Sequence, residues 1–562
     1  MKSTKMHLYK LKLAAAAVLL LAFGMQATAQ TKTKDDSYFE ISKNLDIYYA
    51  LFKEVNEYYV DPIQPGKMVK KSIDEMLNDL DPYTNYITED DIEDYRFQTT
   101  GKYGGIGCAM RDMGEYIAID ELFENGPASK AGLKAGDLLI EVDGKSIKHK
   151  NDDDIRKLVK GSPGTSIKFK IRNPLTGVET EKTVTREEIA VNNISHSALI
   201  GTGKDIAYVR LNQFTERAAA NIKNALDSLK KANPAIKGIV IDLRYNPGGL
   251  LDEAVDICNL FIGKDQLVVS TKGKVDEWDK NYKTKQNSWD EKLPIAVLVN
   301  KGSASASEIV SGTLQDLDRA VVIGQRSYGK GLVQSTRNLP FNGKLKVTTA
   351  HYFTPSGRCI QALDYTHRNE DGSVGEVPDS IKKAFTTKNG RKVYDGGGID
   401  PDIKTTPIES SKLASTLYNK NLVFEYATEY VSKHASIAPA DQFQLSDADM
   451  ELFFAWLDKK DYTYKTKTEE ALERMKTVAE KEKYFEDIKA EYEALAKTLS
   501  HDKKQDLIKN KAEIKKMLQT EIISRYYFQK GRSINDMQDD AEVKEAISVL
   551  YDAARYNKIL GK

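Results

Sequence analysis

Four apolar runs separated by helical patterns constrain the fold of this 562-residue chain more than any other feature. The runs are IAYVRL at residues 206–211, IKGIVIDLR at 236–244, LPIAVLVN at 293–300 and AVVIG at 320–324. All four read as strands, and the second and third have the continuous apolar character that is typical of a sheet covered on both faces. Helical patterns lie between them, at residues 216–231, 250–262 and 304–317. Strand and helix thus alternate, which predicts a core of the α/β class.

The first thirty residues differ in composition from the rest of the chain. An apolar run at residues 13–23 is preceded by four lysines and followed by Ala27-Thr28-Ala29, a small-x-small cleavage signal. This three-part form predicts a secretory signal peptide over residues 1–29, because the apolar run is too short to span a bilayer comfortably. An uncleaved membrane anchor is the alternative. We therefore expect an exported protein, periplasmic or otherwise extracytoplasmic, that is soluble or peripherally attached to the membrane.

The charge balance and the cysteine content exclude several classes of protein. Lys and Arg number 83, and so do Asp and Glu, so nothing in the net charge indicates a nucleic acid partner. Cys108, Cys258 and Cys359 are far apart and show no metal-ligand spacing. We expect them to be small buried side chains, not part of a disulfide framework or a metal site. No cofactor is expected either, because the GKG at residues 329–331 lacks the spacing and the Ser or Thr of a phosphate-binding loop.

Changes in composition divide the chain into a signal peptide and four further regions. Residues 30–99 show apolar side chains at helical spacing, which is typical of a core or a dimer contact. Residues 100–186 read as short strands punctuated by glycines, and residues 187–407 hold the strand–helix core. Residues 408–562 are helical and highly charged, and an apolar stripe between Leu472 and Leu499 predicts one long amphipathic helix that needs a partner. The expected protein is multidomain, of mixed α/β (α+β) class.

The stretch ENGPASKAGLKAGDLLIEVDGKSI, at residues 124–147, carries a first resemblance. Together with the glycine-rich segment before it and the strands after it, it closely resembles a PDZ domain. In that family, the loop before the second strand binds the C-terminal carboxylate of a peptide through backbone N–H groups, and the peptide adds as an extra strand. The resemblance implies such a loop here, formed by Tyr103, Gly104, Gly105, Ile106 and Gly107.

Two strand-to-helix turns mark the expected site in the α/β core. Asn300 ends one buried strand, and Asn246-Pro247-Gly248-Gly249 ends the buried strand before it. Sites in open α/β sheets form beyond the carboxyl ends of strands, so these two turns are expected to lie side by side. A glycine-rich turn and a helix N-terminus both offer N–H groups to a developing oxyanion.

The second turn continues into KGSASASE, at residues 301–308, where three serines precede an acid. Capping of the following helix explains such serines without any chemistry, whereas a catalytic serine also needs a base. None of the seven histidines lies in a recognisable triad motif, although His351 on a core strand can in principle approach the site. Lys330, between two glycines and before Leu332 and Val333, is the other candidate, provided that burial or a second cation lowers its pKa.

Several separated motifs together resemble the C-terminal processing peptidases, also called tail-specific proteases. The motifs are VLVNKGSASASEI, GQRSYGKGLVQ, DLRYNPGG and YFTPSGRCIQ, and with GGIDPDI and the PDZ-like insert the likeness covers residues 51–405. It implies a serine protease core of the ClpP/crotonase-like α/β type. It also implies that Ser305 is the nucleophile, Lys330 the general base and Gln334 the residue that orients the lysine. The oxyanion hole is likened to the backbone N–H of Ala306 with that of Gly248 or Gly249.

The resemblance implies an exported serine endopeptidase that recognises C-terminal tails of unfolded or apolar-tailed proteins through its PDZ domain and cuts them with a Ser–Lys dyad. Expected partners are proteins and peptides with free C-termini, while a homodimer through the helical regions and an adaptor protein are left open. The alternative is a non-catalytic PDZ-type binding or chaperone protein on a protease scaffold. We interpret Ser303, Ser307 and Glu308 as capping or structural residues and Arg244 as an ion-pair partner. The charged insert at residues 362–395 stands outside the resemblance.

Overall fold

The computed structural model describes residues 34–407, 409–499 and 503–562, so the predicted signal peptide lies outside the described residues. The chain divides into two compact units, one ending at Met76 and one running from Leu77 to Lys562. The first is helical, as predicted, with α1 at Lys34–Tyr58 and α2 beginning at Pro65 and ending at Asn78. Most apolar side chains of α1 are exposed, whereas Phe52 and Val55 are half-buried. In the described ranges no helix is long and apolar enough to cross a membrane.

A short turn and two elements lead from the start of the second unit to the glycine-rich strands. The N–H groups of Tyr83 and Thr84 both donate to the Asp81 carboxylate at 2.8 Å, which fixes the turn at residues 81–84. Strand β1 (Asn85–Ile87), a 3-10 turn (Glu89–Asp91) and helix α3 (Ile92–Thr100) follow. Gly101, with a φ of +71°, ends α3 in the left-handed conformation that glycine adopts at little cost.

Residues 102–190 form the β-rich domain that the sequence predicted. Its strands are β2 (Lys102–Gly105), β3 (Cys108–Asp112), β4 (Ile117–Leu122), β5 (Leu138–Val142), β6 (Lys145–Ser146), β7 (Ser166–Arg172), β8 (Glu179–Thr185) and β9 (Glu187–Ala190). Its helices are α4 (Pro127–Lys130) and α5 (Asp152–Val159). The main sheet has the order β3-β4-β5-β7-β8, with β6 on β5, while β2 pairs with β9. Ile119, Leu139 and Phe169 are fully buried at its centre.

The four apolar runs become neighbouring strands of one six-stranded sheet, as predicted. The strands from residue 194 onward are β10 (Ile194–Ile200), β11 (Ile206–Leu211), β12 (Gly238–Asp242), β13 (Leu267–Gly273), β14 (Lys280–Lys283), β15 (Ile295–Val299), β16 (Val321–Gly324), β17 (Leu332–Asn338), β18 (Lys344–Phe353), β19 (Leu363–Arg368), β20 (Val374–Glu376), β21 (Ala384–Thr386), β22 (Lys392–Tyr394) and β23 (Ile403–Lys404). The sheet order is β10-β11-β12-β15-β16-β23, and all of its pairs except β10–β11 are parallel.

Helices cover one face of this sheet from within the core region. They are α6 (Ala218–Ala232), α7 (Leu251–Asn259) and α8 (Ala306–Asp316). A second sheet has the order β1-β18-β13-β14 with β17 on β18, and most of its strands alternate along the chain with those of the first sheet. The insert forms two hairpins, β19–β20 and β21–β22. Arg391 on the second hairpin pairs with Asp318 at 2.6 Å and with Asp402 at 2.5 Å, which ties the insert to the core.

The C-terminal region is helical, as predicted, and it contributes to the protease core. Its helices are α9 (Lys412–Asn419), α10 (Leu422–Lys433), α11 (Asp447–Leu457), α12 (Lys467–Lys481), α13 (Phe485–Leu499), α14 (Lys503–Lys509), α15 (Lys511–Gln538), α16 (Ala541–Tyr551) and α17 (Ala553–Ile559). Val549 of α16 and Tyr556 of α17 pack with Val240 and Leu298 on the second face of the six-stranded sheet. Near α10, Asn421 Nδ2 donates to the carbonyl of Asp112 in the β-rich domain at 2.9 Å.

The prediction of one long helix from Leu472 to Leu499 is wrong. The structure has two helices there, α12 and α13, and Lys483 between them has a φ of +64°. The apolar stripe continues across the break because the two helices face each other: Lys476 Nζ of α12 lies 5.2 Å from the ring of Phe485 and 5.9 Å from that of Tyr492, both on α13. The wide gap in the stripe before Phe485 contains the turn.

Candidate active site

The two turns expected at the sheet edge do lie side by side. Strands β12 and β15, which precede them, are parallel neighbours. The carbonyl of Asn246 accepts hydrogen bonds from Ala304 N at 3.0 Å and from Ser307 Oγ at 2.9 Å. In return, Tyr245 N donates to Asn300 Oδ1 at 2.9 Å. The glycine-rich turn and the serine-rich turn are therefore joined by both backbone and side-chain hydrogen bonds.

Ser305 stands at the start of helix α8 in a backbone conformation that L-residues rarely adopt. Its φ is +55° and its ψ is −114°. Such a conformation costs about 1–3 kcal/mol and persists only where the surroundings impose it. The flanking serines are fully buried, with Ser303 Oγ donating to the carbonyl of Leu243 at 2.8 Å and Ser307 Oγ to that of Asn246. Only the middle serine of the three is left partly exposed.

The glycine-rich turn approaches Ser305 closely enough that a side chain at Gly248 would clash. A Cβ there would lie 2.7 Å from the carbonyl oxygen of Ala304 and 2.9 Å from Ser305 Cβ. The Gly248 N–H donates to Asn246 Oδ1 at 2.9 Å and is therefore occupied. Within the described ranges, no protein acceptor is found for the N–H groups of Gly249 and Ala306. Of the three N–H groups that the sequence analysis named for an oxyanion hole, those of Gly249 and Ala306 are therefore the ones without a protein acceptor in the described part of the chain.

Lys330 is buried in the turn before β17, and its ammonium is poorly solvated. Burial, and after it the neighbouring cation of Lys346, lower the pKa of Lys330 from 10.5 to about 8. Asp81 and Glu308 oppose this shift, because their negative charges favour the ammonium. Among the described residues, no hydrogen bond joins Ser305 Oγ to Lys330 Nζ. A lysine with this pKa is neutral in an appreciable fraction of molecules near pH 8.

Glu308 connects the serine turn to the lysine turn. The carboxylate is fully buried, and burial raises its pKa. Its Oε2 accepts from the backbone N–H of Ser305 at 2.8 Å and from that of Lys330 at 2.9 Å. Its Oε1 accepts from Ser327 Oγ at 2.5 Å and from Gly329 N at 2.7 Å. One side chain thus holds the backbones of both candidate catalytic residues. Glu308 therefore does more than cap helix α8, which is the role interpreted from the sequence.

One cavity of about 500 Å³ contains all the residues that the sequence assigned to chemistry. Its lining includes Ser305, Ala306, Gly248, Gly249, Lys330 and Gln334. Its apolar wall includes Leu250, Leu251 and Ile309. Gln334 faces this cavity, but its Nε2 donates to Thr348 Oγ1 at 3.1 Å instead of bonding Lys330. The described residues hold no group of three or more His, Cys, Asp or Glu side chains that suits a metal ion.

At the end of the glycine-rich segment at residues 103–107, the backbone carbonyls are bonded and two N–H groups are left pointing outward. Ile106 O accepts from Ala128 N at 2.9 Å, and Gly107 O accepts from Phe123 N at 3.0 Å. In a trans peptide the N–H points opposite to the carbonyl of the same unit, so the N–H groups of Gly107 and Cys108 point away from these partners. Strand β3, which follows, is an edge strand of its sheet and lies beside helix α5. Tyr103, Gly104 and Gly105 are in β2, paired with β9.

Two residues that sequence reasoning weighed lie elsewhere. His351 Nδ1 lies 4.0 Å from Cys359 Sγ, and the ring is not part of the catalytic cavity. Arg244 is an ion-pair partner, as interpreted from the sequence. It bonds Asp242 and reaches Asp540 and Glu542 of the C-terminal region, each at 2.7 Å. The strand end before the glycine-rich turn is therefore fixed to helix α16.

Two further residues at the site were missed in the sequence. Tyr83 places its ring centroid 4.2 Å from Lys330 Nζ, and Lys346 lines the cavity beside Lys330. Tyr83 belongs to the LDPYTNYIT segment, which reads only as a turn, and Lys346 sits within a strand of alternating polarity. Neither has a local signal for chemistry. Tyr83 comes near Lys330 through the pairing of β1 with β18, and Lys346 through the pairing of β17 with β18.

Comparison with known proteins gives three family matches. The model of peptidase family S41 matches residues 205–367, that of a PDZ domain matches residues 121–173, and that of the C-terminal helical domain of probable PDZ-proteases matches residues 413–550. Together they follow the order of the regions described above.

Individual relatives are similar over most of their length. A carboxy-terminal-processing protease of Bartonella bacilliformis is 35% identical over 344 residues, which cover 61% of this chain and 77% of the relative. A probable CtpA-like serine protease of Staphylococcus aureus (strain N315) is 32% identical over 390 residues, covering 69% and 75%. Among solved structures, the photosystem II D1 C-terminal processing protease is 25% identical with a TM-score of 0.35, covering 64% of this chain and 87% of that one.

Proposed function

The chain belongs to the carboxy-terminal-processing serine proteases of peptidase family S41, and from this premise we propose that it is an exported endopeptidase that cuts with a Ser305–Lys330 dyad. The observation that carries the proposal is the single cavity that holds Ser305, Lys330 and the free N–H groups of Gly249 and Ala306. A nucleophile, a base with a lowered pKa and two oxyanion donors are the parts that acyl transfer requires.

The proposed reaction follows from these positions. Neutral Lys330 Nζ takes the proton of Ser305 Oγ, and the oxygen attacks the carbonyl carbon of a peptide bond. The resulting oxyanion is held by the N–H groups of Gly249 and Ala306 at the positive end of helix α8. The lysinium then gives its proton to the leaving amine, which departs as the C–N bond breaks. Water, activated by the neutral lysine, hydrolyses the acyl-enzyme. Gln334 is proposed to orient Lys330 once substrate is bound.

The proposal is tested with an unfolded reporter protein that ends in an apolar tail. Ser305→Ala and Lys330→Ala should each abolish cleavage, while Ser311→Ala and Lys344→Ala should not. These are matched controls, because Ser311 lies on the same helix with its Oγ bonded to the carbonyl of Ser307, and Lys344 lies two residues from Lys346 with its Nζ bonded to Asn338. Cleavage by Ser305→Ala at the parent rate contradicts the dyad and favours the non-catalytic alternative.

The substrate proposal rests on the PDZ domain. The N–H groups of Gly107 and Cys108, the unpaired edge of β3 and the helix α5 beside it support capture of a free C-terminus as an added strand. Cys108 and Met110 on β3 pack against the apolar cluster that includes Ile155 and Val159 of α5, which suits an apolar tail. The catalytic cavity with Leu250, Leu251 and Ile309 suits apolar side chains next to the cut bond.

Export and self-association remain parts of the proposal with separate tests. The signal peptide at residues 1–29 predicts that the mature chain begins near residue 30, which N-terminal sequencing of the purified protein checks.

The exposed apolar side chains of α1, such as Tyr38, Phe39, Leu45 and Tyr49, support a homodimer through this helix. Light scattering of the mature protein, with and without Leu45→Glu and Tyr49→Glu, checks it. An adaptor protein remains a further proposed partner.

A further inference from the structure

The segment LDPYTNYIT places an aromatic ring against the proposed general base. The ring centroid of Tyr83 lies 4.2 Å from Lys330 Nζ, well inside the range in which an ammonium is attracted to the face of an aromatic ring. Lys330 lies between this ring and the catalytic cavity, which it lines. The roles proposed for the dyad and the oxyanion donors do not require an aromatic ring next to Lys330.

The ring is held from both its backbone and its hydroxyl. The Tyr83 N–H donates to Asp81 Oδ1, and the hydroxyl donates to that of Tyr328 at 3.3 Å. The hydroxyl of Tyr365 donates to the Tyr83 hydroxyl at 3.4 Å, and the two rings meet edge to face with centroids 6.0 Å apart. Because the turn and the phenol are both fixed, the ring face that Lys330 meets is fixed as well.

The otherwise unexplained insert supplies part of this support. Tyr365 lies on its first hairpin, whose Arg368 Nη2 donates to the carbonyl of Asn78 at 2.7 Å. At the start of the hairpin, Ala362 N donates to the carbonyl of Gly329, the neighbour of Lys330, at 2.9 Å. The hairpin therefore contacts both the turn that carries Tyr83 and the turn that carries Lys330, and it fixes the one relative to the other.

The interaction changes strength during the reaction. A neutral amine gains little from the ring quadrupole, whereas an ammonium gains roughly 0.5–2 kcal/mol. The cation forms on Lys330 as Ser305 loses its proton, so the ring favours the protonated side of that transfer.

We propose that Tyr83 is a positioning residue for the general base: its ring holds Lys330 Nζ at the cavity wall and stabilises the lysinium that forms when Ser305 attacks, and the β19–β20 hairpin holds the ring in place. The inference rests on the proposed function, since it needs Lys330 to be the base. The groups around Lys330 that titrate or carry charge are Asp81, Tyr83, Glu308, Tyr328, Lys346 and Tyr365.

The test replaces the ring without changing the fold around it. Tyr83→Phe keeps the face, Tyr83→Leu keeps only apolar bulk, and replacement of Tyr83 by trifluorinated phenylalanine keeps the shape but removes most of the ring's attraction for a cation. We expect the acidic limb of the kcat/KM profile to stay in place for Phe. It should move to lower pH by roughly 0.4–1.5 pH units for Leu and for the fluorinated ring, because the ammonium loses its stabilisation. The plateau should fall by about 2- to 30-fold.

A control and a second readout separate this role from a structural one. Tyr86→Leu alters the same segment on β1, where the ring lies against Gly343 and not against Lys330, and it should leave the acidic limb unmoved. An acidic limb that stays in place in both the Leu and the fluorinated variants overturns the inference, even if activity falls. If Lys330→Ala cleaves as well as the parent does, the proposed function fails instead, so the two failures are distinguishable.

Discussion

Glu308 shows how one buried carboxylate sets the geometry of a site that it does not enter. Each of its oxygens accepts two hydrogen bonds, and two of the four donors are the backbone N–H groups of Ser305 and Lys330. In Glu308→Gln one oxygen becomes an NH₂ group that faces two donors. We expect kcat to fall roughly 10- to 100-fold with a smaller change in KM, because the two reacting groups lose their spacing. Steady-state kinetics on a tail peptide measures this.

Asp316→Asn is the matched control for that prediction. Asp316 is also a buried carboxylate that accepts several hydrogen bonds, from Arg358, Thr354 and Ser356, but it lies at the far end of helix α8. Both variants should lose about 1–3 kcal/mol of the free energy of unfolding. An equal loss of kcat in the two variants, at a temperature where both are folded, is the result that contradicts a positioning role for Glu308.

The lowered pKa of Lys330 predicts linked effects on rate and stability. Below a pKa of about 8 the lysine is protonated and cannot take the serine proton, so kcat/KM should rise with pH through this value. Because the unfolded lysine has its usual pKa of 10.5, the unfolded chain binds more protons between pH 8 and 10.5, and folding should become more favourable across that window. Lys330→Met removes both effects and should be more stable than the parent at pH 7. Urea unfolding across this pH range measures it, and a parent stability independent of pH would count against it.

At this scale, the residues that could be identified from sequence were those carried by local motifs. Ser305 and Lys330 stand in conspicuous runs, and the sequence already required burial or a second cation for the lysine. Tyr83 and Lys346 could not be identified, because they are 247 and 16 positions from Lys330. Tyr83 reaches it through the pairing of β1 with β18, and Lys346 through the pairing of β17 with β18. The choice of Gly249 over Gly248 as a donor also needed the Asn246 hydrogen bond.

Helix α16 is the element whose role differs most from what composition suggests. It belongs to the charged helical region, yet Val549 is fully buried against the six-stranded sheet. Val549→Ala should therefore lower the free energy of unfolding of the protease core by about 2 kcal/mol. Val478→Ala, on α12 with a 52% exposed side chain, is the matched control and should change it by less than about 0.5 kcal/mol. If the Val549→Ala variant keeps its protease activity at a denaturant concentration where α16 has unfolded, α16 is not part of the core.

The elements themselves were predictable to different degrees for physical reasons. Strands β11, β12, β15 and β16 could be placed from their apolar content, because a doubly covered sheet leaves few polar positions in them, such as Arg210 in β11 and Asp242 in β12. The elements that cover the second face of this sheet could not be predicted, because α16 and α17 have the same amphipathic pattern as the other helices of the C-terminal region. The break between α12 and α13 was missed because hydrophobic spacing continues through a helical hairpin.

For the whole molecule, the question is how the PDZ domain and the catalytic cavity act on one substrate. Helix α3 connects them: Tyr95 bonds Thr336 at 2.9 Å beside the cavity, and the helix runs through Gly101 into β2 and the loop at residues 103–107. A tail bound at that loop is therefore held by the same backbone segment that contacts the cavity wall. Binding energy from the tail, far from the cut bond, is available to the reaction only through such a connection.

Amidation of the substrate's C-terminus tests this arrangement. The amide removes the negative charge that the N–H groups of Gly107 and Cys108 would hold, so binding should weaken by roughly 10- to 100-fold. If the PDZ domain only tethers the substrate, KM rises and kcat is unchanged, whereas a fall in kcat as well indicates that an occupied loop rearranges the cavity through α3. The paired substrate is the same peptide with a free carboxylate. Identical kinetics for the two peptides would contradict recognition of the C-terminus, and Ser305→Ala supplies the background rate for both.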